Sequence, residues 1–132
     1  MAFLVSGVIE TCLYVQDLAA TEAFYHKKLN MPVISHVPNR HIFFRAGNSV
    51  LLCFIASQTL QEQHLPPHGA TGIQHMAFEV PASEYTQRKL DIKKAGITLL
   101  YEQAWPNGYH SFYFHDPDGH LLEIVPADLW GE

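Results

Sequence analysis

The chain has 132 residues, the size of one domain or of two small ones sharing a core, which excludes a large multidomain enzyme. Its residues are 48% hydrophobic and 16% charged, a soluble globular balance that excludes a disordered or collagen-like chain. Eight Lys and Arg against thirteen Asp and Glu leave a net charge of −5 with histidines neutral, so no basic surface is available for a phosphate backbone and no nucleic acid is expected as partner.

Residues 7–15, GVIETCLYV, are rich in β-branched and apolar side chains and predict a strand with Glu10 in its middle. Asp17 offers an N-cap to a helix over 18–29, whose last turn carries cations that complement the helix dipole. Three apolar runs, 32–37, 40–46 and 49–55, are separated by Pro38-Asn39 and Gly47-Asn48 and predict a strand meander. Residues 56–72 break this pattern with Gln, Pro and Gly and predict a linker or lid, with His64 and His68 inside it. A second cycle follows: a strand over 74–80, a helix capped by Ser83 and ending at Ala95 with Gly96 just past it, and strands over 97–101, 109–115 and 120–125. Asp116-Pro117-Asp118-Gly119 has the chemistry of a tight turn between the last two strands. Arg88, Lys89, Lys93 and Lys94 predict the solvated face of the second helix.

Both halves therefore read β-α-β-β-β, an internal repeat. Placing His75 on Glu10 needs an offset of 65, and placing the run LLEIV on LLCFI an offset of 70, the difference of five matching an insertion at 104–108. The chain divides into module one (7–55), a linker (56–72), module two (73–126) and a tail (127–132) in one domain. The fold class is α+β, two paired βαβββ modules that leave a concave sheet surface. No run approaches the ~18 apolar residues of a membrane span, and the start of the chain carries no basic leader, so no membrane association is expected. Cys12 and Cys53 lie far apart in apolar runs, which fits a reducing compartment, and the expected localisation is cytoplasmic.

Side chains alternate across a strand, so Glu10, Cys12 and Tyr14 share one face, as do His75, Ala77 and Glu79, and Leu121, Glu123 and Val125. Glu10, His75 and Glu123 are expected on the concave side. A carboxylate in an apolar strand costs several kcal/mol to bury unless a proton, a cation or a metal compensates it. Two such carboxylates and an imidazole point to a divalent metal.

The order strand, V-Q-D-L, helix ending in FY, HMAFEV and SFYFHDPDGHLLEIV resembles the vicinal oxygen chelate superfamily, which includes glyoxalase I, fosfomycin resistance transferases, extradiol dioxygenases and bleomycin-binding proteins. The resemblance implies a cup-shaped, partly open mixed β-barrel with ligands from the first and last strands of each module. Carried over, these are Glu10, His75 and Glu123, with Cys53 at the last strand of module one, where packing is the commoner role of a cysteine in LLCFI. A Glu-His-Glu set on a dication is formally neutral. It makes a weaker Lewis acid than two histidines with one carboxylate and favours Mn, Mg or Fe(II), with Zn and Ni still open.

The resemblance further implies a glyoxalase I-like lyase or isomerase acting on a small oxygen-rich or thiol-conjugated substrate through a metal-stabilised enolate. Glu123 or Glu10 would move the proton. The alternatives are an extradiol dioxygenase and a metal-free binder of the bleomycin-resistance kind. Arg45, Tyr113, Tyr109 and His110 are candidate substrate contacts, Arg45 equally a salt-bridge partner. Residues 97–132 hold no Lys or Arg, which disfavours a phosphonate substrate. His26, His36, His41 and His120 are read as surface or turn residues and His115 as structural. By analogy with such relatives a homodimer is expected, with Glu10 a candidate for donation across its interface.

Overall fold

The computed structural model describes residues 3–131, and the chain divides between Thr71 and Gly72 into two units, each taken by itself. In the first, β1 (Glu10–Tyr14) runs parallel to β4 (Ser49–Phe54), which pairs antiparallel with β3 (His41–Ala46), itself antiparallel to β2 (Val33–Val37). The strand order β1-β4-β3-β2 follows from the connections. The chain crosses over between β1 and the meander through α1 (Leu18–Glu22), whereas β2, β3 and β4 are joined by turns at Asn39 (φ 66) and Gly47 (φ 59).

Asp17 caps α1 as its sequence predicts, its Oδ1 accepting from the amides of Ala19 and Ala20 at 2.9 and 3.2 Å. The α-helix does not run on to Leu29. From Ala23 to Lys28 it widens to a π-helical turn in which the Leu29 amide reaches the Phe24 carbonyl. Phe24 and Tyr25 are consecutive and both buried, with Tyr25 lying 5.5 Å from Phe44 of β3. The helix-covered face of this sheet carries Leu13, Leu51, Cys53, Ile42 and Phe44, all buried.

The second unit repeats the topology with order β5-β8-β7-β6, in which β5 (His75–Val80) is parallel to β8 (Leu121–Pro126), and β7 (His110–His115) and β6 (Tyr101–Ala104) follow antiparallel. Helix α3 (Tyr85–Lys94) covers one face through Tyr85, whose ring lies 5.6 Å from Phe112. The Tyr85 hydroxyl donates to Glu102 at 2.7 Å and Lys89 donates to both oxygens of that carboxylate. Burial and the Glu102 carboxylate push the Tyr85 hydroxyl up, and the Tyr85 hydrogen bond holds the Glu102 carboxyl below its ordinary range.

Several expectations are corrected. β1 begins at Glu10 rather than residue 7, so Glu10 is its first rung and is exposed, not buried in mid-strand. Ser83 lies inside a 3-10 turn, Ala82–Glu84, and makes no capping bond. The strand expected over 97–101 starts only at Tyr101, because Ile97 belongs to the end of α3. Its amide bonds back to Ile92 and that of Gly96 (φ 83) to Lys93, and the Ile97 side chain is buried. His41 and His120 are 5% and 2% exposed, not surface residues.

The repeat offset is also corrected. Glu10 pairs with Val50 and His75 with Leu121, so β8 matches β4 at an offset of 71, not 70. One residue of register moves every side chain to the other face.

Candidate metal centre

The face of the second sheet turned away from α3 carries His75, Ala77 and Glu79 from β5, Leu121, Glu123 and Val125 from β8, Ser111 and Tyr113 from β7, and Tyr101 from β6. Glu123 sits opposite Ala77 on one side and Tyr113 on the other. Its side chain is 8% exposed and that of His75 is 50% exposed, so a buried carboxylate meets solvent through an imidazole.

His75 Nδ1 lies 2.8 Å from the Leu121 carbonyl oxygen. A carbonyl only accepts, so Nδ1 carries a proton and Nε2 is the ring atom turned toward the carboxylate. That nitrogen lies 3.2 Å from Glu123 Oε1. A ring nitrogen and a carboxylate oxygen facing one another at this distance call for a positive charge between or beside them, either a proton or a metal cation. Two ligand atoms each about 2.1 Å from one dication and roughly at right angles are about 3 Å apart, so the donor set fits a metal, and the Leu121 carbonyl orients its imidazole from behind. Burial pushes the Tyr113 hydroxyl above its ordinary range, with Glu123 raising it further and Ser111 opposing, so it stands beside the carboxylate as a protonated donor.

Ser111 is fully buried and accepts a 3.0 Å hydrogen bond from the Trp105 indole, which pins the loop before β7 to this face. Tyr109, one residue ahead of β7, is half-buried on the same alternation as Ser111 and Tyr113. His110 is on the opposite face, with Glu102 beside α3, and alternation removes it from the candidate substrate contacts.

Glu10 and Arg45 belong to the first unit. They flank Val50 on one row of the face away from α1, both exposed, and among the described residues neither takes part in an ion pair. The next rows along this face are Cys12, Leu52 and Phe43, then Tyr14, Phe54 and His41. Cys53 is on the opposite, helix-covered face, which removes it as a ligand candidate, and no disulfide joins it to Cys12. Among the described residues no three His, Cys, Asp or Glu side chains gather around one point within this chain. His75 and Glu123 are therefore the two predicted ligands that the structure brings together.

The profile of the Glyoxalase/Bleomycin resistance protein/Dioxygenase superfamily matches residues 7–124. The chain belongs to this superfamily. Its α+β fold of two βαβββ modules is that of the superfamily's solved members. The Agrobacterium tumefaciens lactoylglutathione lyase superposes with a TM-score of 0.92 at 32% identity over 97% of this chain and 98% of that one. A mutant of the Listeria monocytogenes fosfomycin resistance protein FosX, in complex with Mn(II) and dihydroxypropylphosphonic acid, superposes with a TM-score of 0.71 at 27% identity, covering 96% of this chain and 94% of that one. The glutathione transferase FosA of Serratia marcescens is 30% identical over 89% of this chain and 78% of its own length. No helix among the described residues is long and apolar enough to cross a membrane.

The sequence reading missed the polar and aromatic cluster at the far end of the first sheet. It joins Tyr14, His41, Phe54 and His68, with Tyr14 Oη 2.7 Å from His68 Nδ1. The position of Tyr14 two rungs from Glu10 was the available signal.

Proposed function

We propose that this member of the superfamily is a metal-dependent lyase or isomerase of the glyoxalase type, acting on a small substrate that offers two neighbouring oxygens. The observation that carries this reading is Nε2 of His75 set 3.2 Å from the Glu123 carboxylate with Nδ1 already committed to the Leu121 carbonyl. His75 and Glu123 would hold the cation, with Glu10 as a third ligand that loosens from it when substrate chelates and is then free to act as the base. A divalent ion there would polarise a substrate carbonyl and stabilise negative charge developing next to it. Glu10, exposed at the start of an edge strand, takes the proton from the carbon beside the carbonyl and returns it to the neighbouring carbon, while the buried Glu123 stays in place. Tyr113 donates toward developing oxygen charge, and Arg45 pairs with a substrate carboxylate. The active form in this reading is a homodimer in which Glu10 reaches the His75 and Glu123 of the partner.

The test is turnover of the methylglyoxal–glutathione hemithioacetal by protein loaded in turn with Mn(II), Mg(II), Fe(II), Zn(II) and Ni(II). Metal-dependent product formation that Glu123→Gln abolishes supports it. Tight metal uptake without turnover of this or other 2-oxoaldehyde adducts overturns the reaction class. Mixing Glu10→Ala with His75→Ala chains tests the dimer: regained activity requires a site made from two chains.

A second reading is favoured by the FosA relative, a glutathione transferase, beside the fosfomycin resistance protein FosX: transfer of glutathione to fosfomycin. Against it, the cations of the second unit lie on α3, with Arg88 paired to Glu84 and Asp91 and Lys89 to Glu102. Fosfomycin consumption in the presence of glutathione decides between the two.

A further inference from the structure

The segment expected to be a linker folds back onto the face that carries Glu10. Helix α2 (Ala56–Thr59) is followed by a turn that returns His68 to Thr59, with the His68 amide donating to the Thr59 carbonyl at 3.2 Å and the Thr59 hydroxyl to the His68 carbonyl. The His68 ring then stands edge-on to Phe54 at 4.6 Å and takes part in the hydrogen bond to Tyr14. The Arg40 guanidinium also lies over the Phe54 ring, 5.4 Å from its centroid, and pairs with Glu62 of the same segment at 2.7 Å.

The cover is selective. The row of Tyr14, Phe54 and His41 lies beneath it, and Phe54 and His41 are each 5% exposed. The row of Glu10, Val50 and Arg45 is left open, its two charged residues exposed and Val50 half-buried. Between them Leu52 and Phe43 are half-buried and offer apolar surface. Rows on one face are about 7 Å apart, so the uncovered face runs from the charged pair across one apolar row and stops at the imidazole.

We propose that His68 is a specificity-determining residue: an end wall that limits the part of a substrate lying on Leu52 and Phe43 to a short apolar group, with the charged, chelating head at Glu10 and Arg45. This deepens the function proposed above and rests on it for the position of the head. It also explains why this histidine is held through its ring by Tyr14 and Phe54 and through its backbone by Thr59, in a segment whose Leu60, Gln61, Gln63, Leu65, Pro66 and Pro67 are exposed.

Two measurements test it, one of which needs no metal and no turnover. Straight-chain 2-oxo acids carry two adjacent oxygens and a carboxylate, and their affinity for Mn(II)-loaded wild-type protein should rise about fourfold per methylene up to roughly six carbons, the span of one row, and then level off. In His68→Ala the rise should continue for at least two more carbons. The dye 8-anilinonaphthalene-1-sulfonate, added to metal-free protein, should bind His68→Ala at least tenfold more tightly than wild type. Tyr14→Phe, which removes one tie and keeps the ring, should fall between, and Phe54→Ala in the His68→Ala background should lose the gain. Equal dye affinity in wild type and His68→Ala overturns the wall. A dye difference with no metal-dependent binding of any 2-oxo acid supports the wall and overturns the chelation reading instead.

Discussion

Glu123 of β8 stands on the rung that Leu52 occupies on β4, because Glu10 pairs with Val50 in the first module and His75 with Leu121 in the second. Cys53, one residue further, points to the helix-covered side and is fully buried. Cys53→Ala should therefore cost about 1 kcal/mol of stability through lost packing and leave metal affinity within about twofold of wild type. A thiol reagent such as Ellman's should titrate Cys12 in the native protein and Cys53 only after denaturation. Native reactivity of both thiols, or loss of metal with Cys53→Ala, would sink this assignment of faces.

The same register explains what the sequence made legible. The repeated β-α-β-β-β pattern, the Asp17 cap and the Gly96 stop are local signals, each carried by a residue whose backbone preference acts where it stands. Alternation then placed His75 and Glu123 on one face of one sheet without any knowledge of the partner strand. What stayed hidden were events that depend on a distant partner. The π-helical turn at Ala23–Lys28 accompanies the burial of Phe24 and Tyr25 together beside β3, and Ile97 is drawn out of the next strand by the end of α3. His41 reads as a turn residue in the sequence, but Ser35 of β2 reaches it across the β2–β3 ladder and the guanidinium of its neighbour Arg40 donates to its other nitrogen. An offset wrong by one residue sufficed to put Cys53 on the wrong face, since the strand period is two.

His75 and Glu123 should each be indispensable for holding a divalent ion. Either His75→Ala or Glu123→Ala removes one of the three proposed protein donors and should weaken Mn(II) binding by at least a hundredfold, measured by titration calorimetry or electron paramagnetic resonance. Metal at a hundred times its dissociation constant should stabilise wild-type protein by about 2.7 kcal/mol, and neither variant should share the gain. An unchanged melting temperature on adding Mn(II), Ni(II) or Zn(II) to wild type would instead assign the positive charge between the two residues to a proton.

Asp116 positions the strand that carries Glu123. Its Oδ1 accepts from the amides of Asp118 and His120, each at 2.9 Å, inside the turn whose Gly119 has φ 83, and the side chain is buried. Asp116→Ala leaves two amides without their acceptor and should cost about 2–3 kcal/mol. Because β8 starts one residue beyond this turn, the variant should also weaken metal binding several-fold, an effect that Asp116→Asn, which keeps one acceptor oxygen, should largely reverse. Loss of stability with unchanged metal affinity in Asp116→Ala would separate the turn from the site.

The ring of His41 sets a pH dependence that can be read in stability alone. Arg40 can only donate, so His41 Nδ1 accepts from it, and Nε2–H donates to the Ser35 hydroxyl at 2.9 Å. Both nitrogens are thus committed in the neutral form. Burial holds the imidazole below its ordinary 6.5, with Arg40 and His36 acting the same way and Glu62 opposing. The unfolded chain then binds a proton at this position more readily than the folded one, so the stability that the neutral ring contributes is present above about pH 6.5 and is lost as the pH falls toward the depressed folded value. The urea midpoint of metal-free wild-type protein should drop between pH 7.5 and 5.5 in proportion, and His41→Gln, which does not titrate, should flatten that segment of the profile. A wild-type midpoint that rises on acidification relative to His41→Gln would reverse the sign and show that the folded protein, not the unfolded chain, takes up the proton.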